Sequence, residues 1–470
     1  MTNINLEHPE YTARKGMWRR YRDLYAGGEQ MKANAPDYLT QRQKEPADVY
    51  SERLSRVFYE NYIGSIIDWY AATLFRREPQ VLVEGDNHHG RKFFSDFTED
   101  CDLKGTDLSD FFRTQLIETL VNGRSYVLVD FPIAAVQPGN RAEEDALGIS
   151  RAYLVDFPAE ALINWSHDGH GNFDWVVLRS TYLRKPNAAA DSFSRETVWR
   201  YYDREKYRFW RQTGKQEAYG PEEQSAPIEL VAEGYHALAK QSRVPLFELK
   251  VSDGLWLMNK AGNLQLEHFN KSNALAWALN VGLFATPVVY SERDWNQIVG
   301  ESYYIQLGPN DRFGWTEPEG HVYQIAAENL SRLQEEIYRV CYLMQQAGGS
   351  QSAVSAQSGL SKLRDFAITQ EVLRAYGDAV KDCLKRILRC IESAREDNLQ
   401  IGVSGLDDFD LRDFSTDLEE ADKLLAMGID SPTLRKQVYK RLAFKYLCDV
   451  RPEVKDEIAR EIDRSLAPAE

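Results

Sequence analysis

The sequence has few cysteines and no long apolar run, and these shortages exclude several classes of protein. Only five of its 470 residues are cysteines, namely Cys101, Cys341, Cys383, Cys390 and Cys448. They are scattered, odd in number and without Cys-x-x-Cys spacing, so we expect reduced core thiols and neither a disulfide framework nor a metal site. No apolar stretch approaches the roughly 20 residues of a membrane span. The segment 1–7 lacks the regions of a signal peptide, so we expect a cytoplasmic chain without a membrane partner.

Proline is also scarce, and positive charge is outweighed by negative charge. With 17 prolines, 43% hydrophobic residues and 12% aromatic residues, the composition indicates a folded protein. The length predicts roughly two to four structural units. A net charge of −15 disfavours tight, non-specific wrapping of nucleic acid. It is compatible with nucleic acid that passes without sticking, because an acidic wall repels phosphate.

Catalytic signatures are missing as well. The chain has no GxxxxGK[ST] phosphate loop, no HExxH, no GxSxG and no kinase set. The run 167–172 offers two histidines and an aspartate, but Asp168-Gly169 between strands first predicts a hairpin turn. An acidic turn at Asp407, Asp408 and Asp410 is read as solvated instead of metal-binding. We therefore expect no enzyme activity, no catalytic residue, no metal and no cofactor.

What the chain does have is a distinctive stretch at 327–395. Apolar residues recur every three or four positions over 327–347, which predicts a helix. Residues 348–359 carry no charge and little to bury, so they predict a pliable loop. A second helical pattern covers 360–395, in which Gly377 costs about 1 kcal/mol against alanine and marks a bend. Taken alone, the stretch also fits a helical hairpin with a loose surface loop.

The rest of the chain mixes helices with strands. Helices are predicted over 9–25, 47–77, 108–122 and 254–281. Gly123 fits a C-terminal cap of the third helix, and the alanines and asparagines late in the fourth would let neighbouring helices approach closely. Strands are predicted at 80–83, 125–130, 152–155, 174–179, 197–202, 207–210, 286–290 and 302–307, and one within 399–411. A short helix is expected at 292–299, and a turn at Gly314-Trp315. The tail is helical, with Thr416 and Glu419 as a capping box, Ser431-Pro432 as a helix start and a last helix after Pro452.

Several spaced motifs, together with this order of elements, resemble the portal proteins of tailed double-stranded DNA bacteriophages. The motifs are His8-Pro9-Glu10-Tyr11, Trp18, Arg22-Asp23-Leu24-Tyr25-Ala26-Gly27-Gly28, Tyr59-x-x-Tyr62-x-Gly64-x-Ile66-x-Asp68-Trp69, Phe75-Arg76-Arg77-x-Pro79, Asn259-x-x-Gly262-Asn263-Leu264-Gln265-x-Glu267-His268-Phe269 and Ala285-Thr286-Pro287. The resemblance covers nearly the entire chain.

The resemblance implies an α+β, mostly helical portal fold in a ring, usually of twelve subunits, at one capsid vertex. By the layout of that family, 1–253 would be the wing, 254–282 and 327–347 two stem helices, and 283–326 a small α/β clip. Residues 348–359 would be the tunnel loop, 360–395 the long bent tunnel helix, 396–414 a return strand of the wing, and 415–470 a helical crown.

The resemblance also implies partners and sites. Double-stranded DNA would pass the loop residues Gly348, Gly349, Ser350, Gln351, Ser352, Val354, Ser355, Gln357 and Ser358. Lys362 and Arg364 would offer the nearest phosphate contacts, or else are solvated first-turn residues or partners of Asp365. The terminase large subunit and later the head–tail adaptor would dock on the clip residues Glu292, Arg293, Trp295, Asp311, Arg312 and Trp315.

Major capsid and scaffolding proteins would complete the partners, and the chain would reside in the virion after assembly in the host cytoplasm. Twelve uncharged loops could ride over a duplex through weak contacts without sequence preference. Portals whose tunnel loops carry lysines or aromatic residues differ from this chain in that respect. Two other interpretations remain open: a metal-dependent DNA-processing hydrolase, and a helical scaffold or adaptor that does not carry DNA.

Overall fold

A computed structural model describes most of the chain, and the structural statements below concern that part. The described residues are 3–132, 143, 148, 150–185, 193–215, 227–282, 286–291, 309–316, 320–343, 359–406, 414–427, 429, 431–447 and 452–465. They combine helices with antiparallel strands, as an α+β class predicts.

The helices are concentrated at the two ends of the chain and around a central β region. Their bounds are α1 Pro9–Ala26, α2 Gly28–Ala33, α3 Ala47–Ser55, α4 Tyr62–Leu74, α5 His88–Glu99, α6 Leu108–Asn122, α7 Leu257–Gly282, α8 Gly320–Val340, α9 Gly359–Arg395, α10 Phe414–Ala426, α11 Pro432–Tyr446 and α12 Pro452–Ser465. The strands are β1 Gln80–Glu84, β2 Arg124–Asp130, β3 Tyr153–Pro158, β4 Leu162–His167, β5 Phe173–Arg184, β6 Ser194–Asp203, β7 Lys206–Lys215, β8 Glu229–Tyr235, β9 Leu246–Lys250, β10 Thr286–Tyr290, β11 Arg312–Thr316 and β12 Gln400–Ser404.

The described strands form four antiparallel sheets. Strands β4-β5-β6-β7-β8 make the largest sheet in simple hairpin order, and β3-β2-β9 make a second one. Two-strand ribbons join β10 to β11 and β1 to β12. The β1–β12 ribbon pairs Gln80 with Ser404 and Glu84 with Gln400, so it connects the N-terminal part of the chain to the segment that follows α9.

Two buried clusters hold these elements together. The larger lies between α4, α6, α7 and α9 and includes Ile67, Leu116, Leu257 and Leu384, all fully buried. The second lies under the five-stranded sheet, where residues of α1 pack against β4, β5 and β6. Burial of these apolar side chains stabilises the fold by about 1.5–3 kcal/mol per large side chain.

Local signals in the sequence fix several boundaries. The side chain of Asp107 accepts the N–H of Asp110 and caps α6 at its start, and Gly123 ends it with φ of 82°. A side chain on Gly123 would also meet the ring of Trp256. The predicted helices at 9–25, 108–122 and 360–395 are therefore confirmed, as is the helix start at Ser431-Pro432, where the Ser431 side chain accepts the N–H of Leu434.

The prediction of one helix over 47–77 was wrong, because the chain is interrupted between α3 and α4. Asn61 restarts the helix by accepting the N–H of Gly64, and its amide donates to the carbonyl of Tyr25. The periodicity of apolar residues continues through this interruption, so the pattern does not predict that the helix is broken there. The interruption is stabilised by partners that are distant in sequence.

Further corrections concern the segments around α8. Gly314-Trp315 is not a turn, because both residues lie in β11, opposite Val288 and Pro287 of β10. Helix α8 begins at Gly320 and ends at Val340, where a helix over 327–347 was predicted. The inward-facing side of α8 extends to half-buried Tyr323 near the N-terminal end of the helix.

Two sequence signals have a different meaning from the predicted one. A Cβ on Gly377 would overlap the carbonyl oxygen of Leu406, so this glycine permits a close backbone approach. Thr416 lies inside α10, which begins at Phe414, so the proposed capping box with Glu419 was wrong. Strands β4, β8 and β9 were not predicted. The predicted elements at 292–299 and 302–307 lie outside the described residues.

Candidate functional site

The two predicted stem helices, α7 and α8, run antiparallel and touch along their length. The hydroxyl of Tyr323 donates to the carbonyl of Ala278 at 3.4 Å. Nearer the body, the Lys271 ammonium donates to the Asn329 side chain at 3.0 Å. These contacts pair the C-terminal half of α7 with the N-terminal half of α8, as the antiparallel arrangement requires.

Polar side chains anchor the base of α7 to the body. The buried Gln265 side chain accepts the N–H of Ile63 at 3.2 Å and donates to the carbonyl of Glu60 at 2.7 Å. Asn273 makes the same two kinds of bond with Phe58, at 3.1 and 2.9 Å. These residues satisfy the backbone of the interruption between α3 and α4. Each bond contributes about 1 kcal/mol.

A third side-chain amide of α7, that of Asn270, also binds backbone groups of the body. Asn270 accepts the N–H of Thr40 at 2.8 Å and donates to the carbonyl of Tyr38 at 3.1 Å. Asn270 and Asn273 therefore bind backbone groups of segments distant in sequence, a role that was not predicted for the late asparagines of this helix. Sequence analysis missed this role, although buried amides on an apolar helix face are a signal for paired backbone groups.

The motif residues that carry the resemblance meet at this same base. The ring of Tyr62 packs edge-on against His268 at a centroid distance of 5.1 Å, and Tyr59 packs against Phe269 at 5.9 Å. The hydroxyl of Tyr21 donates to Asn259 at 3.2 Å. Segments separated by about 200 residues in sequence thus form one contact cluster.

Burial falls steeply along the helix pair. Leu257, Met258 and Phe269 are fully buried at the base of α7. In the outer half, Leu279 is 37% exposed, and Val322 and Ile325 of α8 are 64% and 52% exposed. The described part of the pair therefore leaves the body as a stalk with an uncovered apolar surface.

The β10–β11 ribbon lies at the outer end of this stalk. Tyr290 pairs with Arg312 at the end of the ribbon and its side chain is 67% exposed. Of the predicted docking residues, Arg312 is exposed and Asp311 is half-buried, and Trp315 is placed in β11 by its backbone. Glu292, Arg293 and Trp295 lie outside the described residues.

The long helix α9 is locked to the inner ends of the stalk. The hydroxyl of Tyr376, in α9, donates to the carbonyl of Leu255 at 2.6 Å, just before α7. The hydroxyl of Tyr70, in α4, donates to the carbonyl of Cys341 at 2.7 Å, just after α8. The two rings meet edge-on at 5.6 Å. Burial raises the pKa of the Tyr376 phenol well above its usual value, so it remains a donor at physiological pH.

The predicted loop site lies outside the described residues: Gly348, Gly349, Ser350, Gln351, Ser352, Val354, Ser355, Gln357 and Ser358. Lys362 and Arg364 are in the first turns of α9, and only their backbone is described. The roles of all these residues remain predictions. The position of the loop, between the end of α8 and the start of α9, follows from the chain order.

Three titratable side chains among the described residues, one carboxyl and two thiols, have pKa values shifted by their surroundings. The N–H of Asn172 lowers the pKa of Asp168 to about 2, assisted by the N–H of His170 and by Arg204. This carboxylate therefore closes the hairpin turn between β4 and β5. Burial raises the pKa of Cys341 and of Cys383 to about 12.

No group of three or more histidine, cysteine, aspartate or glutamate side chains in the described part of the chain is arranged to hold a metal ion. Among the helices of the same ranges, none combines the length and apolar character required to cross a membrane.

Comparisons with known proteins gave likenesses at the level of solved structures alone. No protein-family model and no curated protein matches the sequence. A chain in the neck of an empty GTA particle, computed with C6 symmetry, is similar at 14% identity and a TM-score of 0.44, over 85% of this chain and 95% of that chain.

Two further structures are similar at 12% identity. One is the virion of a native gene transfer agent (GTA) particle, with a TM-score of 0.38 over 86% of this chain and 97% of that chain. The other is the neck of a native GTA particle computed with C12 symmetry, with a TM-score of 0.36 over 81% of this chain and 89% of that chain.

Proposed function

We propose that this chain is the subunit of a portal ring at one vertex of a phage capsid. The ring serves as the conduit for double-stranded DNA during packaging and ejection, nucleates capsid assembly, and docks first the terminase large subunit and then the head–tail adaptor. The observation that carries the proposal is the α7–α8 stalk, which leaves the body with an uncovered apolar surface and is locked at its base to α9.

The exposed apolar residues support a ring of identical copies. Val322 and Ile325 lie on the outer surface of the stalk, where desolvation by a neighbour would be favourable. The terminal helices α10 to α12 support the same conclusion, because Ala421 alone is buried among those residues of 414–465 whose side chains the structure describes. Met427 and Tyr446 are 69% and 68% exposed. A head-to-tail contact of one such surface with the next copy closes into a ring when the rotation fits.

The parts of the chain then take the following roles. The stem consists of Leu257–Gly282 and Gly320–Val340, the clip lies between them, and the wing comprises 1–253 with the return strand β12. The loop 348–359 faces DNA, α9 supports it, and residues 415–470 form the crown. The cluster of motif residues at the base of α7 supports this arrangement, because it fixes the stem to the wing.

The mechanism follows from the composition of the loop. The serine and glutamine side chains and the backbone amides of the loop offer weak hydrogen bonds and no net charge, so a duplex can slide past them without being held. Lys362 and Arg364 supply the nearest positive charge at the start of α9. The hydrolysis of ATP that drives packaging belongs to the terminase, in agreement with the missing phosphate loop.

Negative-stain imaging and native mass spectrometry of the full-length chain test the ring. We expect rings with a central hole for the natural chain and monomers for the double variant Val322→Asp, Ile325→Asp. Ser331→Asp, an exposed position on the same helix, is the matched control and should form rings. Unchanged circular dichroism would show that the double variant is folded.

Other outcomes favour the alternatives. A compact monomer with nuclease activity that depends on a divalent metal would support a hydrolase and refute the ring. An assembly without a hole would support a scaffold or adaptor. A deletion of residues 350–357 should leave rings intact but abolish DNA packaging, and normal packaging by this variant would refute the role of the loop.

A further inference from the structure

A cationic cleft lies between β9 and the second half of α9, apart from the stalk and the predicted loop. Its volume is about 560 Å³, and its lining includes Lys250, Lys385, Arg386 and Arg389. The same lining contains two carboxylates, those of Glu248 and Asp382. A concentration of four cations is notable in a chain whose net charge is −15.

Arg386 is held in place without being neutralised by an ion pair. Its Nη2 donates to the backbone carbonyl of Glu248 at 2.9 Å, and its Nε donates to the backbone carbonyl of Asp382 at 3.3 Å. Both acceptors are neutral, so the guanidinium keeps its charge while its position is fixed between the strand and the helix. Such pre-organisation lowers the entropic cost of binding an anion.

The other cations of the cleft also lack acidic partners. Within the described ranges, Lys250, Lys385 and Arg389 form no ion pair. Glu248 is already paired with Arg124, at 3.3 Å. The cleft therefore has a positive surplus, opposed mainly by the Asp382 carboxylate.

We propose that this cleft binds phosphate groups of the DNA backbone, as a second contact zone of the ring, an inference that rests on the proposed function. Six of the seven lining residues carry a charged group, which disfavours an uncharged apolar ligand. Lys385 and Arg389 are one helical turn apart, about 6 Å along the axis, so they can contact neighbouring phosphates of one strand. Phosphate contacts of this kind position a duplex without reading its sequence.

The open form of the cleft favours a polymer over a single small anion or an acidic peptide. Lys250, Arg386 and Arg389 are all exposed at its rim. Each copy offers only a few weak contacts, but a ring repeats the cleft at regular intervals. A duplex that follows the ring can engage several clefts at once, and their contributions multiply.

The cleft is distant from the start of α9, where the predicted loop ends. Lys385 lies 26 residues after Gly359, the first residue of α9, which corresponds to about 40 Å along a straight helix. In this proposal a duplex bound at the cleft is a different segment from the one that passes the loop. The two zones differ in chemistry as well, because the loop is uncharged and the cleft is cationic.

Fluorescence anisotropy of a short labelled duplex with the purified full-length chain tests the proposal. The double variant Lys385→Gln, Arg389→Gln should bind at least about tenfold more weakly, and the slope of log K against log salt should fall in magnitude by about 1.8 for two lost contacts. Arg374→Gln is the matched control on the same helix, because Arg374 is already paired with Glu371 at 2.8 Å. It should change neither affinity nor slope.

A variant that gains affinity separates binding from misfolding. Asp382→Asn removes the opposing carboxylate and should tighten duplex binding about threefold at low salt. An unchanged slope in the double variant, or no gain for Asp382→Asn, would overturn the proposal. Displacement of the duplex by polyglutamate at equal charge concentration would also overturn it, because the partner would then be an acidic protein segment.

Imaging of the same samples keeps this proposal distinct from the ring. Rings formed by the double variant, together with lost duplex binding, would support the cleft. Absence of rings in the natural chain would refute the proposed function, while the anisotropy titrations would still report on the cleft itself.

Discussion

Replacing Gly377 with alanine sets a gain in helix stability against a collision with a neighbouring segment. Gly377 lies inside α9, where alanine is favoured over glycine by about 1 kcal/mol. A Cβ here would overlap the carbonyl oxygen of Leu406, a backbone atom that moves only if its whole segment moves. Overpacking costs about 1–3 kcal/mol, and loosening the buried Leu406 adds about 1 kcal/mol. We therefore expect a net loss of about 1–3 kcal/mol.

A matched control is available in α1. Gly16 lies in the interior of that helix, and a Cβ there would meet nothing within 4 Å. Gly16→Ala should therefore stabilise α1 by about 0.5–1 kcal/mol. Hydrogen exchange of peptides from α1 and α9, together with urea unfolding followed by circular dichroism, measures both effects. If both variants slowed exchange and raised the urea midpoint equally, the close approach at Leu406 would be refuted.

Three further predictions concern the base of the stalk, the turn and the thiols. Gln265→Leu should lower stability by about 2–4 kcal/mol because two buried backbone groups lose their partner; urea unfolding checks this, with exposed Asn263→Leu as a near-neutral control. The pKa of Asp168 is lowered to about 2, so its contribution is present above the unfolded value near 4 and is lost as pH falls towards 2. The urea midpoints of the natural chain and Asp168→Asn should therefore differ at pH 6 and converge at about pH 2. Cys341 and Cys383, with pKa values raised to about 12, should resist iodoacetamide in the folded chain and react after unfolding, as followed by mass spectrometry.

Elements with a strong local signal could be predicted from the sequence. Helix α6 combines a continuous apolar stripe with Gly123 at its end, and α11 begins at the Ser431-Pro432 pair. The strands β1 and β12 could each be recognised from short apolar runs. Their pairing could not, because nothing local connects Gln80 with Ser404 across the length of the chain.

The wrong predictions from the sequence share a physical cause. In each case, contacts with residues distant in sequence determine the local structure. The interruption between α3 and α4 exists because Asn61, Gln265 and Asn273 satisfy its backbone, and two of those three residues lie on α7. Gly377 was interpreted as a bend because the approach of Leu406 cannot be seen in a helical pattern. The cationic cleft was missed for the same reason, since Lys250 and Arg389 meet only through the tertiary fold.

The pairing of β1 with β12 has a consequence for synthesis of the chain. Strand β1 leaves the ribosome early, but its hydrogen-bonding edge stays open until Gln400–Ser404 has been made. During that interval the nascent chain exposes an unpaired strand that is prone to wrong association. A message truncated before codon 400 thus yields a product in which β1 never meets β12. The open strand edge makes such a product prone to aggregation and a target for cellular proteases.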